Sequence, residues 1–171
     1  VIVGAGLVGT VLAVFLAQAG FRVDVYDFRD DPRQTNTEGG RTINITLSKR
    51  GFQALAAIGA DDIVRQQCVP VYGRLIHALD GELTYQPYGS GADAVLYPIH
   101  RQVLQTLLLD FAAQHNAITF HFNEKCLDLD LASTTLQFQN TCTGQVRQVQ
   151  ATRIFGADGA YSAVRQKMLR Q

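Results

Sequence analysis

Three glycines near the start of the chain carry its clearest chemical signal. Gly4-x-Gly6-x-x-Gly9 follows Val1-Ile2-Val3, a β-branched run that reads as a buried strand, and leads into Thr10–Ala19, a helical stretch ended by Gly20. Between a strand and a helix the three have distinct uses. Gly4 permits a tight turn, Gly6 lets the backbone approach a pyrophosphate, and Gly9 lets helix and strand pack closely. The first N–H groups of the helix then face the phosphates. Asp27 closes the next extended stretch, Arg22–Tyr26, where an acidic side chain takes ribose hydroxyls. An acid there favours an unphosphorylated ribose, hence FAD or NAD over NADP, and does not separate FAD from NAD.

Two further groups of residues bear on that choice. Gly156-Ala157-Asp158-Gly159-x-x-Ser162-x-Val164-Arg165 holds a carboxylate at a strand-to-helix turn, placed to accept hydrogen bonds from a ribityl chain. In isolation it is a turn with a capping aspartate; the complete pattern resembles the second signature of the flavoprotein aromatic hydroxylases. Arg74 and Tyr88 flank an Asp80-Gly81 hairpin signal, and a guanidinium beside a phenol makes a strong carboxylate receptor. On the residues alone, a surface arginine and an interfacial tyrosine are the commoner arrangement.

The elements that must hold these groups follow from periodicity. After the opening βαβ pattern comes a polar, turn-rich loop from Asp30 to Gly40, then Arg41–Leu47 and a helix that Ser48 caps. Asp61–Gln67 reads as a short helix. Extended stretches follow at Arg74–Ala78, Glu82–Tyr88 and Ala94–Tyr97. Arg101–Gln114 is amphipathic, with Val103, Leu104, Leu107, Leu108 and Phe111 at helical spacing. Alternation resumes at Ile118–Phe122, and Leu127–Leu131, Thr135–Phe138 and Val146–Ala151 read as a β-meander. Arg153-Ile154-Phe155 is a last strand, with a helix from Ser162.

Composition narrows the partners. The 171 residues fit about one globular domain, 47% hydrophobic and 18% charged, and 15 Lys+Arg balance 15 Asp+Glu, so no basic field exists to collect nucleic acid. Cys68, Cys126 and Cys142 are odd in number and far apart, which indicates neither a disulfide framework nor a zinc ribbon and suits a reducing cytoplasm. His77, His100, His115 and His121 lack metal-binding spacing, and no Gly-x-Ser-x-Gly elbow is present. Val1–Gly20 carries no charge, but its glycines and Gln18 make a membrane span the weaker reading. The chain opens on Val1, inside a strand, so it reads as a fragment.

Gly40-Arg41-Thr42-Ile43-Asn44-Ile45-Thr46-Leu47-Ser48, Gly73-Arg74-x-Ile76-His77 and Gln86-Pro87-Tyr88-Gly89 together resemble the kynurenine 3-monooxygenase family of FAD-dependent aromatic hydroxylases. The resemblance runs over essentially the whole chain and about the first two fifths of a family member. It implies an α/β, Rossmann-like FAD-binding fold with a β-meander and the inserted first strands of a substrate-binding sheet. Residues 1–171 would be the N-terminal part of the FAD-binding domain, strands near 72–98 would belong to the substrate domain, and the C-terminal remainder would be absent.

The resemblance also implies roles. Gly4, Gly6, Val8, Gly9 and Asp27 would bind the ADP half of FAD. Thr46, Arg101, Cys126 and Asp158 would add FAD contacts, Cys126 through its backbone near the adenine. Arg74 and Tyr88 would hold the substrate α-carboxylate, with Leu96 in an apolar pocket. The cofactor carries the chemistry, so no catalytic side chain is expected. The implied reaction is hydroxylation of L-kynurenine to 3-hydroxykynurenine with bound FAD, NADPH and dioxygen. Another FAD hydroxylase, a flavin reductase, or an FAD-binding module without turnover are the alternatives. A homodimer is left open; a bacterial-like member would be cytoplasmic and a eukaryotic one mitochondrial, on the outer membrane.

Overall fold

The structure is a computed structural model and describes residues 1–34, 43–91 and 94–170. The Gly40-Arg41-Thr42 part of the family-like stretch lies outside the described residues, as does most of the loop expected to end at Gly40. In chain order the first elements are β1 (Ile2–Val3), α1 (Leu7–Gln18), β2 (Val23–Tyr26), β3 (Asn44–Leu47), α2 (Lys49–Ala56) and α3 (Asp61–Arg65). Then come β4 (Gly73–His77), β5 (Leu83–Pro87), β6 (Tyr97–His100), α4 (Arg101–Ala113) and β7 (Ile118–His121). The chain closes with β8 (Glu124–Asp130), β9 (Thr135–Asn140), β10 (Val146–Gln150), β11 (Phe155–Gly156) and α5 (Ala163–Met168). These form two compact units, one of Val1–Gly40 with Gln105–Gln171 and one of Arg41–Leu104.

The first unit is built on a parallel sheet of order β11-β1-β2-β7. Such a sheet is covered on both faces, and its central strands β1 and β2 are buried at every position but Asp24. On one face Ile2, Val23 and Val25 pack with Ala5, Ala13 of α1 and Leu109 of α4. Each fully buried aliphatic side chain there is worth roughly 1.5–3 kcal/mol. The other face, through Val3 and Tyr26, packs on Leu129, Leu136 and Phe138 of the antiparallel meander β10-β9-β8 and on Val164 of α5. Tyr26 lies flat between two rings, 4.2 Å from Phe138 and 4.3 Å from His121. His121 Nε2 is in turn 2.8 Å from Asp24 Oδ1 on β2, which ties the edge strand β7 to its neighbour.

Helix α1 stops where expected. Gly20 sits at φ 89°, the left-handed region that glycine enters without strain, and the N–H groups of Gly20 and Phe21 return to the carbonyls of Ala17 and Leu16. Among the described residues no helix is long and apolar enough to cross a membrane.

In the second unit β3 and β6 pair antiparallel, with Thr46 opposite Pro98. The Arg65 guanidinium lies 4.1 Å from the Phe52 ring centre and 4.9 Å from that of Tyr97, a cation–π clamp joining α3, α2 and β6. β4 and β5 form the expected hairpin. Gly81 turns it at φ 90°, and Asp80 Oδ1 accepts the Glu82 N–H at 3.0 Å. The ring of Tyr85 covers Gly73, which has no room for a Cβ.

Three local expectations are corrected. The strand expected at Ala94–Tyr97 lies at Tyr97–His100, because its register is set by β3; Leu96 makes only a single bridge to Val71. The last strand lies at Phe155–Gly156 rather than Arg153–Phe155, set by pairing with Ile2 and Val3. Ser48 occupies the position before α2, but its side chain makes no capping hydrogen bond.

Candidate functional site

The β1-to-α1 turn is shaped by what its glycines exclude. Gly4 has φ 106°, and a Cβ there would run into the backbone of Ala157 and Asp158. A Cβ on Gly9 would run into the carbonyl of Gly4, so strand and helix touch through bare backbone. Gly6 differs: nothing lies within 4 Å of where its Cβ would stand. No side chain caps α1, so its first N–H groups keep their capacity for an acceptor. Val8, in that first turn, is 71% exposed. An open glycine surface beside uncapped N–H groups fits the pyrophosphate of a dinucleotide.

Asp27 stands at the end of β2 with its carboxylate buried. Oδ2 accepts the Ala5 N–H at 2.8 Å, tying this carboxylate to the glycine turn. Arg29 supplies three further bonds: its backbone N–H to Oδ1 at 3.0 Å, Nε–H to Oδ1 at 2.9 Å and Nη2–H to Oδ2 at 2.8 Å. Four donors fill the usual capacity of a carboxylate. Burial alone would raise the pKa of Asp27, but the Arg29 hydrogen bonds and charge and the Ala5 N–H together hold it below the ordinary 3.8. Sequence reasoning missed Arg29. Its signal was present, since Asp31-x-Arg33 repeats the Asp-x-Arg spacing and makes the same two-point pair.

Asp158 also finds its partners within the chain. Oδ1 accepts the Ser162 hydroxyl at 2.5 Å, and Oδ2 accepts the N–H groups of Ala163 at 2.7 Å and Val164 at 3.3 Å. It therefore holds the start of α5, the plainer of the two uses expected for a Gly-Asp-Gly turn. Cys126 lies on β8 just before a register shift between Cys126 and Asp128. Burial, with the charges of Asp158 and Asp128, pushes its thiol up to about 11.

The first unit thus brings together Gly4, Gly9, Asp27 and the Asp158 turn, with Val8 and Cys126 nearby in the fold. Thr46, Arg74, Tyr88, Leu96 and Arg101 belong to the second unit. Thr46 is exposed on β3. Arg101 begins α4, its N–H bonded to the Ile43 carbonyl at 3.0 Å. On the hairpin Arg74 pairs with Gln86, and the Tyr88 N–H continues the ladder to the Tyr72 carbonyl at 3.0 Å. Arg74 and Tyr88 therefore share one face as diagonal neighbours. Leu96 exchanges both backbone hydrogen bonds with Val71, two residues before β4. Among the described residues no cluster of His, Cys, Asp or Glu is arranged to hold a metal.

Curated relatives match nearly all of this chain. Kynurenine 3-monooxygenase of Myxococcus xanthus is 36% identical over 167 residues, 98% of this chain and 36% of that protein. That of Salinispora tropica is 39% identical over 169 residues, 98% of this chain and 37% of that protein. The chain thus spans little more than a third of the length of these relatives. Among solved structures, the flavin-dependent monooxygenase PieE in complex with FAD and substrate superposes with a TM-score of 0.82 at 19% identity, covering 98% of this chain and 31% of that one. The p-nitrophenol 4-monooxygenase PnpA of Pseudomonas putida gives 0.81 at 20% identity, covering 98% and 42%. These two likenesses establish the α/β, Rossmann-like fold. The family model described as "FAD binding domain" matches residues 1–170, and with the glycine cradle it establishes that this chain belongs to the FAD binding domain family.

Proposed function

We propose that this chain is the FAD-binding part of an NADPH-using monooxygenase that hydroxylates L-kynurenine to 3-hydroxykynurenine. The observation that carries the reading is the shared face of Arg74 and Tyr88, in a chain matched along its length by kynurenine 3-monooxygenases. When bound, FAD would supply the redox chemistry that couples NADPH and dioxygen to hydroxylation of the aromatic ring. The chain's own residues bind and orient. Gly4, Gly6, Val8 and Gly9 cradle the pyrophosphate, with Thr46, Arg101 and the backbone at Cys126 as further FAD contacts. Asp27 would take the ribose hydroxyls in place of the Arg29 guanidinium, while Asp158 acts through the turn it holds.

Arg74 and Tyr88 take the α-carboxylate, and Leu96 contributes an apolar wall, so the hairpin belongs to the substrate domain. The aniline ring then stays free for electrophilic attack beside its amino group. The bacterial relatives suit a cytoplasmic enzyme, and a homodimer remains part of this reading. In a full-length protein carrying this chain, L-kynurenine should stimulate NADPH oxidation with stoichiometric 3-hydroxykynurenine. Arg74→Ala should weaken kynurenine binding measurably and leave FAD content intact. Bound FAD without stimulation would discard this substrate and keep the flavoprotein.

A further inference from the structure

The guanidinium of Arg74 differs in its partner from those of three other arginines. Arg29, Arg33 and Arg147 are each paired with a carboxylate, those of Asp27, Asp31 and Glu124. Arg74 has no ion pair among the described residues. Its Nε–H instead donates to the side-chain carbonyl of Gln86 at 2.8 Å, directly across the β4–β5 ladder. An amide fixes the direction of a guanidinium without neutralising it. The charge therefore stays uncompensated on a face that also carries Tyr88.

The atom that Gln86 engages matters as much as its neutrality. A guanidinium meets a carboxylate with two parallel N–H groups, either the edge formed by Nε and one Nη or the end formed by both Nη groups. With Nε–H given to Gln86, the end-on edge is left as the two-point receptor. Gln86 also retains two amide N–H donors on the same face. A glutamate at this position would satisfy the same Nε–H and cancel the charge, and a leucine would leave the guanidinium to turn.

We propose that Gln86 is a positioning residue for substrate recognition: it holds Arg74 by Nε so that both Nη groups present one fixed, charged edge to the α-carboxylate of the amino-acid substrate. The proposal deepens the kynurenine reading and rests on it. It makes Gln86 a determinant of selectivity for substrates carrying a carboxylate, acting through Arg74.

The test uses the full-length, FAD-loaded enzyme with L-kynurenine and with the analogue lacking the α-carboxylate. Gln86→Leu should raise KM for kynurenine about 10-fold, the loss of a hydrogen bond to a charged group, with kcat within about 2-fold. The same variant should leave KM for the decarboxylated analogue, FAD affinity and Tm unchanged. Gln86→Glu should raise KM for kynurenine further, since it places a competing carboxylate on Arg74, and should spare the analogue. Arg74→Ala is the reference. If it impairs kynurenine binding while Gln86→Leu behaves as wild type, Gln86 plays no part and the proposal is overturned. Equal losses for both substrates, or a fall in Tm together with kcat, would make Gln86 an ordinary hairpin residue and also overturn it. If Arg74→Ala itself has no effect, the kynurenine reading of the hairpin fails, and the proposal with it.

Discussion

Arg29 grips Asp27 at two points, Nε to Oδ1 at 2.9 Å and Nη2 to Oδ2 at 2.8 Å, while the Ala5 N–H also bonds Oδ2 at 2.8 Å. The carboxylate thereby joins the end of β2 to the glycine turn. Its side chain is 3% exposed and that of Arg29 45%, so the pair has one dry and one wet member.

Asp27→Asn should destabilise the fold by about 1–3 kcal/mol, below the range for a fully buried pair because Arg29 reaches solvent. The pH dependence has a definite sign. The folded-state value of Asp27 is lowered from 3.8, so its contribution is complete above that pH and disappears as pH falls through the lower folded value. Thermal melts followed by circular dichroism should show an acid loss of Tm in the wild type that is smaller in the Asn variant. Parallel curves would mean that Asp27 is not linked to folding in this way.

Gly6 and Gly9 should fail differently. Gly9→Ala places a Cβ against the Gly4 carbonyl, and backbone must move. A cost above about 3 kcal/mol and loss of cooperative melting are expected. Gly6→Ala meets nothing in the chain, so it should melt like wild type yet lose flavin absorbance, because its methyl occupies the space left for the pyrophosphate. A yellow Gly6→Ala protein would exclude this turn as the phosphate cradle.

Asp158→Ala removes the acceptor for Ala163, Val164 and the Ser162 hydroxyl. Loss of a cap of this kind costs about 1–2 kcal/mol. Hydrogen exchange should quicken at the amides of Ala163 and Val164 first. Unchanged protection there would remove the aspartate from the start of α5.

Cys126 should be a slow nucleophile. With its thiol pushed up to about 11, chiefly by burial, the thiolate is scarce at neutral pH. Iodoacetamide followed by peptide mass spectrometry should label Cys126 slowly at neutral pH and faster only as the solution approaches that value. Rapid neutral labelling would contradict the burial.

Strand-turn-helix order, the Gly20 stop, the Asp80-Gly81 hairpin and the meander were all legible in the sequence, since each rests on local periodicity or on a residue with one favoured backbone conformation. What was not legible depended on partners. The strand at Tyr97–His100 was displaced because β3, rather than its own alternation, sets its register. Asp27 and Asp158 were recognisable as acids at turns, but the donors around them come from residues whose directions the spacing does not reveal. Gln86 stood in a family-like stretch, but it had no role of its own until the hairpin register placed it opposite Arg74.

The backbone of Gly4 lies directly against Ala157, and the Ala157 N–H bonds to the Val3 carbonyl at 2.8 Å. One wall of the turn near the amino end is thus supplied by a segment more than 150 residues later in the same chain. Closing so wide a loop is entropically slow, and contacts of high sequence separation form late in folding. During synthesis the first Rossmann turn must wait, incomplete, until β11 and the Ala157 turn leave the ribosome. Flavin capture then has to follow the synthesis of β11, and a ribosome-stalled chain ending before β11 should emerge colourless.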